Sequence, residues 1–113
     1  MSVGDFIIEE FYLPSNSYGE YRPAVGQHVV IRQITVSNYY NNGSYYSPYL
    51  RVYLYDGINA VFIYDYTMFP HYLNRLKLFI NNEYWLRFFN PDPSENVYVG
   101  ITGIVIKLSL IHI

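Results

Sequence analysis

His28-Val-Val-Ile-Arg-Gln-Ile-Thr-Val-Ser37 decides the fold. Val29 and Ile31 lie on one parity, Ile34 and Val36 on the other, so the run alternates as a strand does but changes phase midway. A β-bulge near Arg32-Gln33, or burial on both faces, accounts for the switch. Leu50, Val52 and Leu54 alternate with Arg51, Tyr53 and Tyr55, and Asp56-Gly57 closes that strand in a turn, with Ala60 to Tyr66 as its hairpin partner. No segment carries a helical period.

Outward from there the same grammar repeats. Phe6 to Leu13 reads as a first strand. Residues 14 to 27 read as loop, or as loop with a short edge strand, because Pro14, Gly19, Pro23 and Gly26 resist regular pairing. Asn38 to Pro48 reads as a projecting loop or hairpin tip with Asn42-Gly43 as its turn. Thr67 to His71 breaks the pattern. Leu76, Leu78 and Ile80 then alternate with Arg75, Lys77 and Phe79, Asn81-Asn82-Glu83 is a turn, and Tyr84 to Asn90 is the strand returning from it. Pro91 to Asn96 is loop, with Asp92 and Glu95 as solvated residues. The last strand runs from Val97 to about Ile111, where Gly100 and Gly103 mark a bend or close backbone packing. Its even-numbered residues Ile104, Ile106, Leu108 and Leu110 are expected to form the buried side. The sum is seven to eight strands about ten residues apart, which predicts one all-β domain over residues 1–113: an antiparallel β-sandwich of jelly-roll type.

Composition narrows function by exclusion. The chain has 113 residues, 15 of them tyrosine, with no cysteine, 14% charged residues and a net charge of −2. An average soluble domain is about 25% charged, so this surface is poorly protected against association. Absent cysteine removes disulfides, thiolate catalysis and Cys-based zinc sites. Arg22, Arg32, Arg51, Arg75, Lys77, Arg87 and Lys107 are scattered singly, giving no stripe for phosphates, so no nucleic-acid partner is expected. No apolar run approaches the ~18 residues of a membrane span, and the start, Met1 to Asp5, lacks the features of a signal peptide.

No reaction centre emerges. His28, His71 and His112 show no ligand spacing, so neither metal nor cofactor is expected. Glu9 and Glu10 are adjacent on a strand and point to opposite faces, a poor acid/base pair. Asp56 is a turn former, and there is neither a Gly-x-Ser-x-Gly elbow nor a phosphate-cradling glycine loop. A non-enzymatic protein is therefore expected. Tyr39, Tyr40, Tyr45, Tyr46 and Tyr49 sit in an Asn/Gly/Ser-rich segment, the composition of recognition loops. The plainer alternative is that they pack back over the sandwich end. Arg51, Tyr53 and Tyr55 share one strand face, and Arg with Tyr is enriched where interfaces concentrate their energy.

The run Val29 to Asn38 preceded by Pro23-Ala-Val-Gly-Gln27, then Leu50 to Gly57, Leu76 to Arg87 and Val97 to Ile106, resembles small jelly-roll domains of virion structural proteins. Such domains occur in phage decoration and fibre proteins and in capsid or turret subunits of archaeal viruses. The likeness covers residues 23 to 106 and rests on turns and alternation. It implies a homo-oligomeric capsid, decoration or spike subunit, made in the host cytoplasm and located in the virion. Its partners would be copies of itself and other virion proteins, met through the eight residues Tyr39, Tyr40, Tyr45, Tyr46, Tyr49, Arg51, Tyr53 and Tyr55. The alternative from another class is a carbohydrate-binding module whose loop tyrosines stack on sugars.

Overall fold

The structure, a computed structural model, describes residues 2–37, 50–66, 72–73, 76–92 and 96–108, with backbone alone at 37, 64–66, 72–73 and 108. Among these residues there are nine strands: β1 (Phe6–Leu13), β2 (Ser17–Tyr21), β3 (Gln27–Ser37), β4 (Leu50–Tyr55), β5 (Ala60–Tyr66), β6 (Tyr72–Leu73), β7 (Leu78–Ile80), β8 (Trp85–Asn90) and β9 (Val97–Leu108). The first sheet runs β1-β9-β3 and continues to β6 and β7; the second runs β2-β8-β4-β5. All pairings are antiparallel. β6 opposes Ile34 and Thr35 while β7 opposes Val29 to Ile31, so the two are successive pieces of one edge strand and each sheet is four strands wide. From β1 to β4 the chain alternates between sheets, turns back through the β4–β5 hairpin, and alternates again to β9. That winding is a jelly roll, as expected.

The phase switch in β3 is a bulge. Ile31 faces Gly103 and Gln33 faces Thr102, leaving Arg32 as the extra residue. Its carbonyl accepts the Leu76 amide at 3.0 Å. The bulge returns Ile34 and Val36 to the face already held by Val29 and Ile31, and all four are buried. With Ile7 and Leu13 from β1, Leu50 and Val52 from β4, Leu86 and Phe88 from β8, and Val97, Val99, Ile101 and Val105 from β9 they form one core between the sheets. Each such side chain contributes about 1.5–3 kcal/mol on burial.

Four expectations need correction. In β9 the odd-numbered residues face the core, while Ile104 is half-buried and Ile106 exposed; Leu110 and the Leu108 side chain lie outside the described residues. β9 is apolar on both faces, so alternation alone could not choose between them. Gly103 belongs to the inward set: a Cβ there would stand 2.5 Å from the Val30 carbonyl oxygen, so only glycine lets β3 approach. Asp92 is buried beside Asn90 rather than solvated, its amide donating to Asn90 Oδ1 at 3.0 Å. The strand after Asn81-Asn82-Glu83 crosses into the other sheet rather than pairing back. β6 was not anticipated. The segment 14–27 does include an edge strand, β2, and Gly19 sits where a Cβ would meet Leu13 Cδ2 at 2.6 Å.

Candidate assembly faces

Arg51, Tyr53 and Tyr55 stand together on the outer face of the second sheet, as their alternation predicts. Register places each beside a residue of β8: Arg51 opposite Phe89, Tyr53 opposite Arg87, Tyr55 opposite Trp85. β2 adds Tyr18 opposite Phe89 and Glu20 opposite Arg87; β5 adds Phe62 opposite Tyr53. The side chains tile over one another. Tyr18 stacks on Phe89 with ring centroids 4.4 Å apart, Tyr53 meets Phe62 at 4.7 Å, and Tyr55 meets Trp85 edge-on at 5.5 Å. The Arg87 guanidinium lies 4.2 Å from the Tyr18 ring and 4.6 Å from that of Tyr55, and Arg22 covers Trp85 at 3.9 Å.

These contacts use the negative face of each ring against a cation, worth about 0.5–1 kcal/mol apiece where partly wet. Arg87 Nε also lies 3.5 Å from Glu20 Oε1, an ion pair too long for a strong hydrogen bond. The lattice hides most of its members: Arg51, Tyr53, Tyr55, Arg87 and Phe89 are half-buried and Trp85 is 5% exposed, while Tyr18 and Phe62 at its margins are 54% exposed. The Trp85 indole N–H is buried and has no hydrogen-bond partner among the described residues. Sequence reasoning missed Tyr18, Arg22, Phe62, Trp85, Arg87 and Phe89; alternation of Trp85, Arg87 and Phe89 was a signal that could have found three of them.

The outer face of the first sheet is built differently. Phe79, Val30, Ile104 and Phe6 face one another in register across β7, β3, β9 and β1, making an apolar row across the sheet. Ile8 sits in the next row opposite Thr102. Phe6 is 76% exposed, Ile8 78% and Phe79 57%. Phe6, Ile8, Arg32, Thr102 and Ile104 line an open hollow of about 200 Å³. Among the described residues none covers Phe6, Ile8 or Phe79, and exposed apolar surface of this kind marks an interaction site. Beyond it lies a polar hollow of about 230 Å³ lined by Glu10, Thr35, Tyr98 and Gly100, with a single carboxylate.

A third exposed apolar feature is the β4–β5 turn. Asp56 Oδ1 accepts the amides of Ile58 at 2.8 Å and Asn59 at 2.7 Å, and Gly57 takes the left-handed φ of +98° that the turn requires. The two amides hold the Asp56 carboxyl below its ordinary value of 3.8. Ile58, at the tip, is 87% exposed. Glu9 and Glu10 do diverge: Glu10 lines the polar hollow, whereas burial first and the Glu9 charge second push the Tyr21 phenol above its usual range. Tyr39, Tyr40, Tyr45, Tyr46 and Tyr49 lie outside the described residues, as do Arg75, His71 and His112. Among the described residues no group of three or more His, Asp or Glu is placed to hold a metal ion.

No family model and no curated protein matches the chain. Several solved structures match its fold, two of them as follows. The nucleoplasmin-like N-terminal domain of Drosophila FKBP39 superposes with a TM-score of 0.55 at 9% identity, over 95% of each chain. The core of Drosophila NLP, described for its pentamer formation and histone binding, superposes with a TM-score of 0.50 at 18% identity, over 86% of this chain and 97% of that one. At such identities the likeness shows the fold alone. It also corrects the functional expectation, because these neighbours are nucleoplasmin-like and histone-binding cores, neither virion subunits nor lectins. The virion structural role, the location in a virus particle, the other virion proteins as partners and the carbohydrate-binding alternative are all withdrawn. The turns and alternation that carried the viral resemblance encode the jelly roll itself, and one fold hosts many functions.

Proposed function

We propose that the chain is a self-associating jelly-roll core, a building block that packs against copies of itself and has no catalytic role. The observation that carries this reading is the uncovered apolar band of Phe6, Ile8, Ile104 and Phe79 on the first sheet. Pentamer formation in the NLP core, which aligns over 86% of this chain, supports it by analogy of fold. Histone binding, also named for that neighbour, asks for concentrated negative surface. Here nine acidic residues are offset by seven basic ones, so self-association is the better supported half of the analogy. Sedimentation velocity on the purified chain at tens of micromolar is expected to give a multiple of 13.4 kDa. A single species of 13.4 kDa across that range overturns the reading.

A further inference from the structure

We propose that neighbouring copies meet head to tail, with the β4–β5 turn of one copy, led by Ile58, seated in the hollow lined by Phe6, Ile8, Thr102 and Ile104 on the first sheet of the next. The inference rests on the self-association proposed above and names the two surfaces that perform it. They are unlike in shape and separate in the molecule. One is a recess on the outer face of the first sheet; the other is a projection from the second sheet, and the core lies between them. A copy therefore cannot satisfy its own recess.

Two properties make them complementary. The recess is apolar, the exposed residue Arg32 is among those that line it, and Arg32 has no ion-pair partner among the described residues. The projection carries an apolar side chain beside the solvent-exposed carboxylate of Asp56. Docking Ile58 thus brings opposite charges together at the rim of a dry contact, which fixes orientation. The turn is also rigid before it binds. Asp56 Oδ1 pins two amides, the Asp56 amide donates to the Asn59 carbonyl at 3.2 Å, and the Tyr55 hydroxyl donates to the Gly57 carbonyl at 2.9 Å. Presenting Ile58 consequently costs little further ordering.

Symmetry favours the same choice. An isologous contact that seats each turn in the other's recess needs both surfaces on one side of the molecule, whereas they belong to opposite sheets; one that sets recess against recess leaves Ile58, the most exposed of the large apolar side chains described, in water. A heterologous contact covers both features at once and, repeated around an axis, closes a ring of any number, odd numbers included.

The test uses two single variants of the full chain, Ile58→Asp and Ile8→Asp. Both positions are exposed, so each variant is expected to keep the thermal midpoint that the unaltered chain has at concentrations where it is monomeric. Each alone should sediment as a monomer, with self-affinity lowered at least about 100-fold. Mixed in equal amounts they should form a dimer holding one copy of each, because an intact turn then meets an intact recess while both altered surfaces, now acidic, repel. Assembly of Ile58→Asp at the strength of the unaltered chain overturns this inference and leaves self-association standing. A mixture that stays monomeric, when each variant is monomeric, points to an isologous contact and overturns it too. A monomeric unaltered chain overturns both readings.

Discussion

The two outer faces of this sandwich are made from similarly apolar and aromatic side chains and come to opposite ends. On the second sheet, rings and guanidinium groups cover one another: Arg87 spans Tyr18 and Tyr55, Arg22 roofs Trp85, and Tyr18 lies flat on Phe89. On the first sheet, Phe6, Ile8 and Phe79 stand with most of their surface in water. The difference is one of reach. Planar groups on neighbouring strands stack across the roughly 5 Å between opposed positions, as Tyr12 and Tyr98 also do on the first sheet, whereas the Phe6 and Phe79 rings stand at opposite ends of a row with Ile104 and Val30 between them, and Ile8 opposes only Thr102. Aromatic content alone is therefore a poor guide to which face is open to a partner, because much of the aromatic face is covered by its own members, although Tyr18 and Phe62 stay 54% exposed.

The contrast can be broken most severely at Trp85. Trp85→Ala removes the floor beneath Arg22 and the edge contact to Tyr55, and truncation of a buried tryptophan costs about 3–5 kcal/mol. Chemical denaturation should register that loss, while Phe6→Ser on the other face should stay within about 0.5 kcal/mol when measured where the chain is monomeric. Equal losses at the two positions would erase the distinction. A sharper comparison comes from Arg87, whose replacement by Ala removes two ring contacts and the Glu20 pair; about 1–2 kcal/mol is expected at this half-buried site. Lysine at position 87 should recover only part, since it lacks a planar group to stack.

The smallest effect concerns pH. The Tyr21 phenol titrates higher in the folded chain than in the unfolded one. The unfolded chain therefore loses this proton first, and folding stability, intact below the ordinary value of 10.0, declines as pH rises through the higher native value. Tyr21→Phe should flatten that alkaline decline in a pH series of thermal midpoints, and a decline unchanged by the substitution would refute the assignment.

How far the molecule was legible in its sequence depended on whether local pattern had one solution. β3 had one, because Val29, Ile31, Ile34 and Val36 can share a face only if a residue near Arg32 is extra. The β4–β5 turn had one, written in Asp56-Gly57. β9 had two, since Val99 and Ile101 on one side and Ile104 and Ile106 on the other are equally apolar; only the pairing with β1 and β3 selects the odd residues for the core. That error is itself informative, as Ile104 and Ile106, expected to be buried, lie on the outer face, the first half-buried and the second exposed. β2 was obscured by its flanking prolines and by Gly19, which is there to admit Leu13. Tyr18 went unseen with it, as did Arg22 just beyond the strand, and one margin of the aromatic lattice was lost from view. Arg51, Tyr53 and Tyr55 were found because strict alternation survives any fold. Function was least legible: turn spacing specifies a winding, and the winding is shared by proteins with different partners.

The chain has no cysteine, so a single introduced thiol reports on one position without interference. The rate of thiol labelling in Ile8→Cys and, separately, in Tyr18→Cys, followed from nanomolar to tens of micromolar protein, tests most directly whether the first sheet is covered by another copy. Labelling at position 8 should slow at least about tenfold as concentration rises while labelling at position 18 stays constant. Rates at position 8 that do not change with concentration would contradict the account.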